Sequence, residues 1–450
     1  MPRARLAVAA LAIVALCAAS RAQQPDAPRV LRFVPAHDAS EVDPALTELQ
    51  VVFDRDMDQK RGWTFCGSGP SFPAAKAIAW RDARTLVLSV ALKPGQRYET
   101  TLNCANSAQR FRDAAGRLLA ATPWVFATSG TAPTAPPVNA ETNARAFAAL
   151  QDAIATRYSH RDRLVDDWAE RFASHREALL GATTSAQFAQ RAAALLGAAQ
   201  DPHLWLLVDG ALVPSVRRDF TPNFSRQALD KALPELVVAN ELVLHATIGE
   251  GASRIGYLAI LGLDGRQADK LAAAHDALRA MRDCAGIVLD LRANGGGNEM
   301  LGMQLARWFV DGEGVYAKSV VRDPESGAWD RVHERRIAAN TNEDRYEGPL
   351  VVLQGPACLS SCEGLLLMLK RCPRATFVGA SSGGSSGNPQ PIELGNGVTA
   401  YVPSWRALDA ADNPIEGLGI APDVELAIGK DSFRDGDPVL ARALELLRDG

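Results

Sequence analysis

An apolar, strand-like run, Pro349-Leu350-Val351-Val352-Leu353, ends at Gln354-Gly355-Pro356 and leads through a short turn into a helix that starts at Ser361-Cys362-Glu363 and runs to Lys370. Two serines, Ser360 and Ser361, stand in that turn. A hydroxyl there lies beside a helix N-terminus, where free backbone N–H groups and the dipole favour a developing negative charge. Acyl transfer needs that environment around its nucleophile. The bland alternative is that the serines only cap the helix. A second buried strand, Gly286–Asp290, runs through Asn294-Gly295-Gly296-Gly297 into an amphipathic stretch. Consecutive glycines expose amides and let a ligand approach the backbone closely, although they also serve a plain tight turn. A phosphate loop is ruled out in detail, because no Gly-Lys-Ser/Thr follows and Gly-x-Gly-x-x-Gly cannot be placed on 295–300.

Other groups with chemical potential are weaker. Gly383-Gly384-Ser385-Ser386-Gly387 satisfies Gly-x-Ser-x-Gly, but a nucleophile elbow needs a helix directly after it. Here Asn388-Pro389-Gln390-Pro391 follows, so the match reads as accidental. No His-Glu-x-x-His or paired Cys-x-x-Cys occurs, which argues against a zinc enzyme, and no cofactor is implied. Cys358 and Cys362 flank Ser360 and read as packing residues or as a partner for Cys372.

The elements that must position these groups begin with short strands over residues 29–130. Val30–Val34, Leu49–Phe53, Thr85–Val90 and Tyr98–Leu102 alternate or carry β-branched residues between proline and glycine turns. That spacing predicts an antiparallel β-sandwich. Residues 131–137 hold three prolines and read as a stiff linker. Residues 138–204 turn helical, with Phe147, Leu150, Ile154 and Tyr158 at helical spacing and Ser185 as a candidate N-cap. Over 205–435, apolar strands alternate with helices, the pattern of an α/β core.

The 450 residues carry 48 Lys+Arg and 52 Asp+Glu, a formal charge of −4, with 47% hydrophobic and 22% charged residues. This composition excludes disorder, collagen and coiled coil, and it lacks the basic footprint of a nucleic-acid binder. Arg3 and Arg5, the apolar run Leu6–Cys17 and Ser20-Arg21-Ala22 form the pattern of a secretory signal peptide over residues 1–22. The run is too short for the ~20 residues of a membrane span, and no other segment reaches that length. Leu16 is too large for a lipobox, so lipid anchoring at Cys17 is not expected. Removing residues 1–22 takes away three arginines and no acid, which moves the formal charge from −4 to −7. Six cysteines remain, and Cys66 with Cys104 is the preferred disulfide pair. The chain is therefore expected to be exported, to the periplasm or the extracellular space.

Two resemblances sharpen this reading. The phrases VPAHDASEVDPALTELQVVFDRDMD and LKPGQRYETTL resemble bacterial Ig-like domains, which implies a spacing or docking module, with docking at the cell envelope as its partner role. GIVLDLRANGGGN, LVVLQGPACLSSCEGLLLML, FVGASSGGSSG and NPIEGLGIAPDVEL together resemble the tail-specific, C-terminal-processing and tricorn-like serine peptidases over about residues 140–430. The expected architecture is multidomain: an all-β Ig-like sandwich, a helical segment and an α/β crotonase-like (ClpP/crotonase) peptidase core acting on protein or peptide substrates. No PDZ module fits obviously between 205 and 253.

The family's Ser-x-x-Glu motif places the nucleophile at Ser360, with Glu363 as a helix-start charge and Ser361 as the rival nucleophile. The resemblance implies an oxyanion hole from the N–H of Ser361 and of Gly295 or Gly296. One branch of the family uses a lysine about 25 residues after the serine. Here that turn is Ser382-Gly383-Gly384-Ser385, and no lysine occurs between Lys370 and Lys430. The other branch uses a histidine of an Asp-Gly-His-Thr motif, matched at Asp201 and His203 only, with Pro202 between them. An imidazole with a pKa of about 6.5 suits that role. Glu416, in IEGLGIAPD, matches the glutamate that orients the base or its partner, with an ordinary surface carboxylate as the alternative; Asp423 reads as fixing a turn. The leading expectation is a serine endopeptidase with a Ser-His dyad. The alternative is a catalytically inactive ligand- or peptide-binding protein on the same fold.

Overall fold

The computed structural model describes residues 27–66, 72–73, 75–103, 110–130, 138–323, 325–341, 343–429 and 431–449. The signal-peptide reading over 1–22 and the linker over 131–137 lie outside them. The chain divides into two compact units, one up to Gly130 and one from Thr131 onward.

In the first unit, period-two alternation is visible residue by residue. Glu48–Phe53, Thr85–Val90 and Arg97–Leu102 each bury every second side chain. Two four-stranded sheets result, one of Val30–Val34, Glu48–Phe53, Thr85–Val90 and Ala75–Trp80, the other of Ala39–Val42, Thr122–Thr128, Arg97–Leu102 and Phe65–Cys66, each in spatial order. Leu49, Val51, Phe53, Leu86, Leu88, Trp124 and Phe126 belong to one buried cluster, the core of an Ig-like β-sandwich. Cys66 is disulfide-bonded. Its expected partner, Cys104, lies outside the described residues.

The second unit is built on a seven-stranded sheet in the order Val237–Val238, Val243–Ile248, Ile255–Ile260, Gly286–Asp290, Leu350–Gln354, Ala375–Gly379 and Val424–Glu425. The first two pairings are antiparallel and the remainder parallel. Gly286–Asp290 and Leu350–Gln354 are buried at every residue, as strands covered on both faces must be. Ile287, Leu289, Leu350 and Val352 pack with Leu278, Leu305 and Leu366 of the helices Ala272–Ala280, Glu299–Ala306 and Ser361–Leu369. Val288, Val351 and Leu353 pack with Val439, Leu440 and Ala443 of the helix Pro438–Asp449.

Helices Ala140–Thr156, Trp168–Leu180 and Ser185–Leu196 share a core with a four-stranded antiparallel sheet that pairs Trp205–Val208 with Val398–Pro403. Residue 185 is the first helical position and not the cap. Thr184 caps the helix by accepting from the Gln187 N–H at 3.1 Å, because the Ser185 hydroxyl is spent on the Asn396 carbonyl at 2.7 Å. A three-stranded sheet, Trp329–Ala338, Glu313–Arg322 and Trp405–Asp409, completes the unit. Among the described residues no helix is long and apolar enough to cross a membrane.

Candidate active site

Two parallel strands deliver the two turns that carry the serines and the glycines. Gly286–Asp290 and Leu350–Gln354 are neighbours in the sheet, so the turns that follow them emerge at the same edge. A Cβ built on Gly296 (φ +93°) would sit 2.5 Å from the Leu359 carbonyl oxygen and 3.0 Å from both the Ser360 Cβ and the Ser361 N. Only glycine fits there, and its absent side chain is what lets the turns touch. Ser361 fastens the contact by donating its hydroxyl to the Gly297 carbonyl at 2.7 Å.

That bond weakens the rival nucleophile. Both serines are half-buried and line a cleft of about 370 Å³, but the Ser361 hydroxyl is committed to that carbonyl. Ser360 has φ 56° and ψ −124°, a conformation that non-glycine residues adopt at a cost of ~1–3 kcal/mol and that clusters at functional sites. The cleft is also walled by Met300, Leu367, Trp405 and Ile415. The helix that starts at Ser361 presents its first N–H groups here, the polarity that stabilises an oxyanion. Of the two glycines expected to assist, Gly296 donates its N–H to Asn294 Oδ1 at 2.9 Å. At Gly295, which is exposed, an added Cβ would meet open space.

Glu363 is more than a helix-start charge. Its carboxylate is buried and accepts from the Ser382 hydroxyl (2.6 Å), the Gly384 N–H (2.7 Å), the Ser385 N–H (3.0 Å) and the Ser360 N–H (3.1 Å). Burial pushes its pKa up to about 7 against the pull of those donors. The glutamate thus staples the Ser360 turn to the loop 382–385. The Ser360 N–H is shared with the Ser385 carbonyl at 2.9 Å.

His203 reaches the same loop. One of its nitrogens, Nδ1, lies 2.7 Å from Ser385 Oγ, and its backbone N–H donates to Asp201 at 2.8 Å. Asp201 is fully buried and also accepts from the Tyr158 hydroxyl at 2.9 Å. Burial pushes the His203 imidazole below its usual 6.5; the Asp201 charge opposes this and Arg218 adds to it. In the sequence Ser385 stands in FVGASSGGSSG, in a Gly-x-Ser-x-Gly that reads as accidental and in the turn that lacks a lysine, none of which gives it a role. Its hydroxyl is wholly buried, which removes it from contact with substrate.

Glu416 is buried too. Its Oε2 accepts from the Ser386 N–H at 2.7 Å, and its carboxylate lies 3.6 Å from Arg218, 3.8 Å from Arg163 and 3.9 Å from His160. Burial and the neighbouring Asp201 push its pKa up to about 8, while the Ser386 N–H and the two arginines pull it down. It is therefore no surface carboxylate, and among the described residues it makes no hydrogen bond to His203. Arg218, which sequence reasoning passed over, donates to the carbonyls of Gly383 and Gly384, close to Glu416. Cys358, Cys362 and Cys372 are all buried free thiols, so no disulfide joins Cys372 to either of the others. Among the described residues no group of three or more His, Cys, Asp or Glu is arranged to hold a metal ion.

Comparison with known proteins agrees with this architecture. Residues 254–426 match peptidase family S41, and residues 24–128 match the bacterial Ig-like domain Big_5. The carboxyl-terminal-processing peptidase 3 of Arabidopsis thaliana chloroplasts is 24% identical over 194 residues, 43% of this chain and 35% of that protein. The chloroplastic C-terminal processing peptidase of Tetradesmus obliquus is 29% identical over 188 residues, 41% of this chain and 38% of that one. The chain thus spans little more than a third of the length of these curated relatives. Among solved structures, a candidate peptidase from Parabacteroides merdae superposes with a TM-score of 0.58 at 21% identity, covering 68% of this chain and 96% of that one. Mature CPAF complexed with lactacystin gives 0.51 at 12% identity over 69% and 99%. These two likenesses are of fold.

Proposed function

Because the chain carries a peptidase family S41 domain behind a bacterial Ig-like domain, we propose that it is an exported serine endopeptidase working through an acyl-enzyme on Ser360, with His203 as general base. One observation carries the reading: Ser360 stands in a strained conformation at the start of a buried helix, open to a cleft and pressed against a glycine-rich turn. His203 takes the Ser360 proton as Oγ attacks the substrate carbonyl. The tetrahedral oxyanion sits on the N–H of Ser361, the first of the helix, with Gly295 as the second donor, since the Gly296 amide is spent on Asn294. The imidazolium then protonates the leaving amine, and a water activated by the same histidine hydrolyses the ester. Glu416 acts at one remove, through Ser386 and Arg218, on the loop that bears Ser385. The absence of any lysine from 371 to 429 supports histidine as the base. The sandwich serves docking at the cell envelope.

One feature favours the silent binding protein instead. Among the described residues no hydrogen bond joins the Ser360 hydroxyl to His203, although catalytic contacts of this kind often tighten only with substrate. A fluorophosphonate probe with peptide mapping separates the two readings. The wild-type protein should be labelled on Ser360, Ser360→Ala should not be labelled, and His203→Ala should lose labelling by 10²-fold or more, on the order of a general base's contribution. Absence of labelling in the folded wild type would favour binding.

A further inference from the structure

Ser385 touches both halves of the proposed dyad through different atoms. Its hydroxyl lies 2.7 Å from His203 Nδ1, while its carbonyl accepts from the Ser360 N–H at 2.9 Å. Its own N–H is held by Glu363 at 3.0 Å. The peptide groups on both sides of the residue are therefore anchored, and the hydroxyl is wholly buried, so its position relative to Ser360 is set by the main chain. We propose that Ser385 is the positioning residue of the base, accepting the Nδ1 proton of His203 and so leaving Nε2 unprotonated toward Ser360. The inference rests on the reading of His203 as base.

The chemistry gives the bond a direction. If Ser385 donated to Nδ1, the ring proton would sit on Nε2 and nothing would remain there to take the Ser360 proton. If Nδ1–H donates to Ser385, the lone pair stands on Nε2. A hydroxyl in this place fixes tautomer and orientation without adding a charge beside the ring, in contrast to a carboxylate, which would also raise its basicity. The charged and titratable groups around His203 are Asp201 and Arg218, with His160 behind them and Glu363 and Glu416 bonded to the backbone of Ser385 and Ser386.

The experiment uses the full chain. Fluorophosphonate labelling rates of Ser360 are measured against pH for wild type, Ser385→Ala, Ser385→Thr and His203→Ala, with the His203 tautomer read from ¹⁵N imidazole shifts assigned by its loss in His203→Ala. Wild type should show the Nδ1–H form. Ser385→Ala should be labelled at least tenfold more slowly, with a mixed tautomer population and a displaced acid limb, and Ser385→Thr should restore rate and tautomer. A wild-type rate in Ser385→Ala beside a dead His203→Ala would overturn the role of Ser385 alone. So would a slower rate with tautomer and acid limb unchanged, which marks a packing defect. A wild-type rate in His203→Ala would remove the base and this inference together.

Discussion

Glu363 gathers four donors from two loops onto one carboxylate, and its protonation competes directly with that of His203 for control of the site. Burial pushes Glu363 up to about 7 and His203 below 6.5. If the base governs, it is more than half neutral at pH 6.5, because a depressed imidazole releases its proton earlier on the way up. The midpoint of the acid limb of Ser360 labelling is then expected below pH 6.5. A limb near 7 would instead mean that protonating Glu363, which costs it acceptor capacity for the Ser360 and Ser385 N–H groups, closes the site first. A pH series of labelling rates from 4.5 to 8.5 decides this. At this scale the sequence showed residue types but not burial. Glu363 read as a helix-start charge because a glutamate at the third helical position is what a first turn favours anyway. Its other donors, Ser382, Gly384 and Ser385, are 19 to 22 residues away, a distance across which no local pattern speaks. His203 and Ser360 were legible because they stand in motifs that give them a role; Ser385 stands in FVGASSGGSSG without one, and Arg218 stands in none.

At the scale of elements, the site depends on how closely two strand-to-helix turns approach. The strands were readable from their apolar runs, and the helix after Ser360 from the turn before it, with its start over Ser361-Cys362-Glu363. The depth of the contact was not readable, since a triple glycine is equally consistent with a plain turn. The structure identifies Gly296 as the point of closest approach. Gly296→Ala would force a Cβ to 2.5 Å from the Leu359 carbonyl oxygen at a φ of +93°, and the atoms it meets are mainly backbone, which cannot swing aside. The turns must part, and the Ser361 N–H moves with them. Labelling of Ser360 is expected to fall about 10²-fold, the scale of a lost oxyanion donor. Stability should fall by only ~1–3 kcal/mol, the usual cost of local overpacking, measured by urea unfolding. Near-wild-type labelling would show that the glycine turn is not part of the oxyanion site.

At the scale of the whole chain, the boundary near residue 130 was legible from composition alone, because strand-spaced turns give way to prolines and then to helical spacing. Each unit keeps its own hydrophobic core: the sandwich closes over Leu49, Phe53, Trp124 and Phe126, and the second unit over three clusters that start no earlier than Ala146. None of these clusters draws residues from both units, and every group assigned to the site, from His203 to Glu416, lies after Thr131. Residues 131–450 produced alone should therefore fold, label on Ser360 at the full-length rate, and unfold within a few degrees of the matching transition in the full chain. For a unit of about 320 residues 1 kcal/mol moves the midpoint by about 1.5 °C, so a drop of more than a few degrees would reveal stabilisation across the units. Full-rate labelling with docking to isolated cell envelopes lost would assign attachment to the sandwich and chemistry to the rest. Lost labelling in a folded fragment would instead make the sandwich part of the catalytic apparatus.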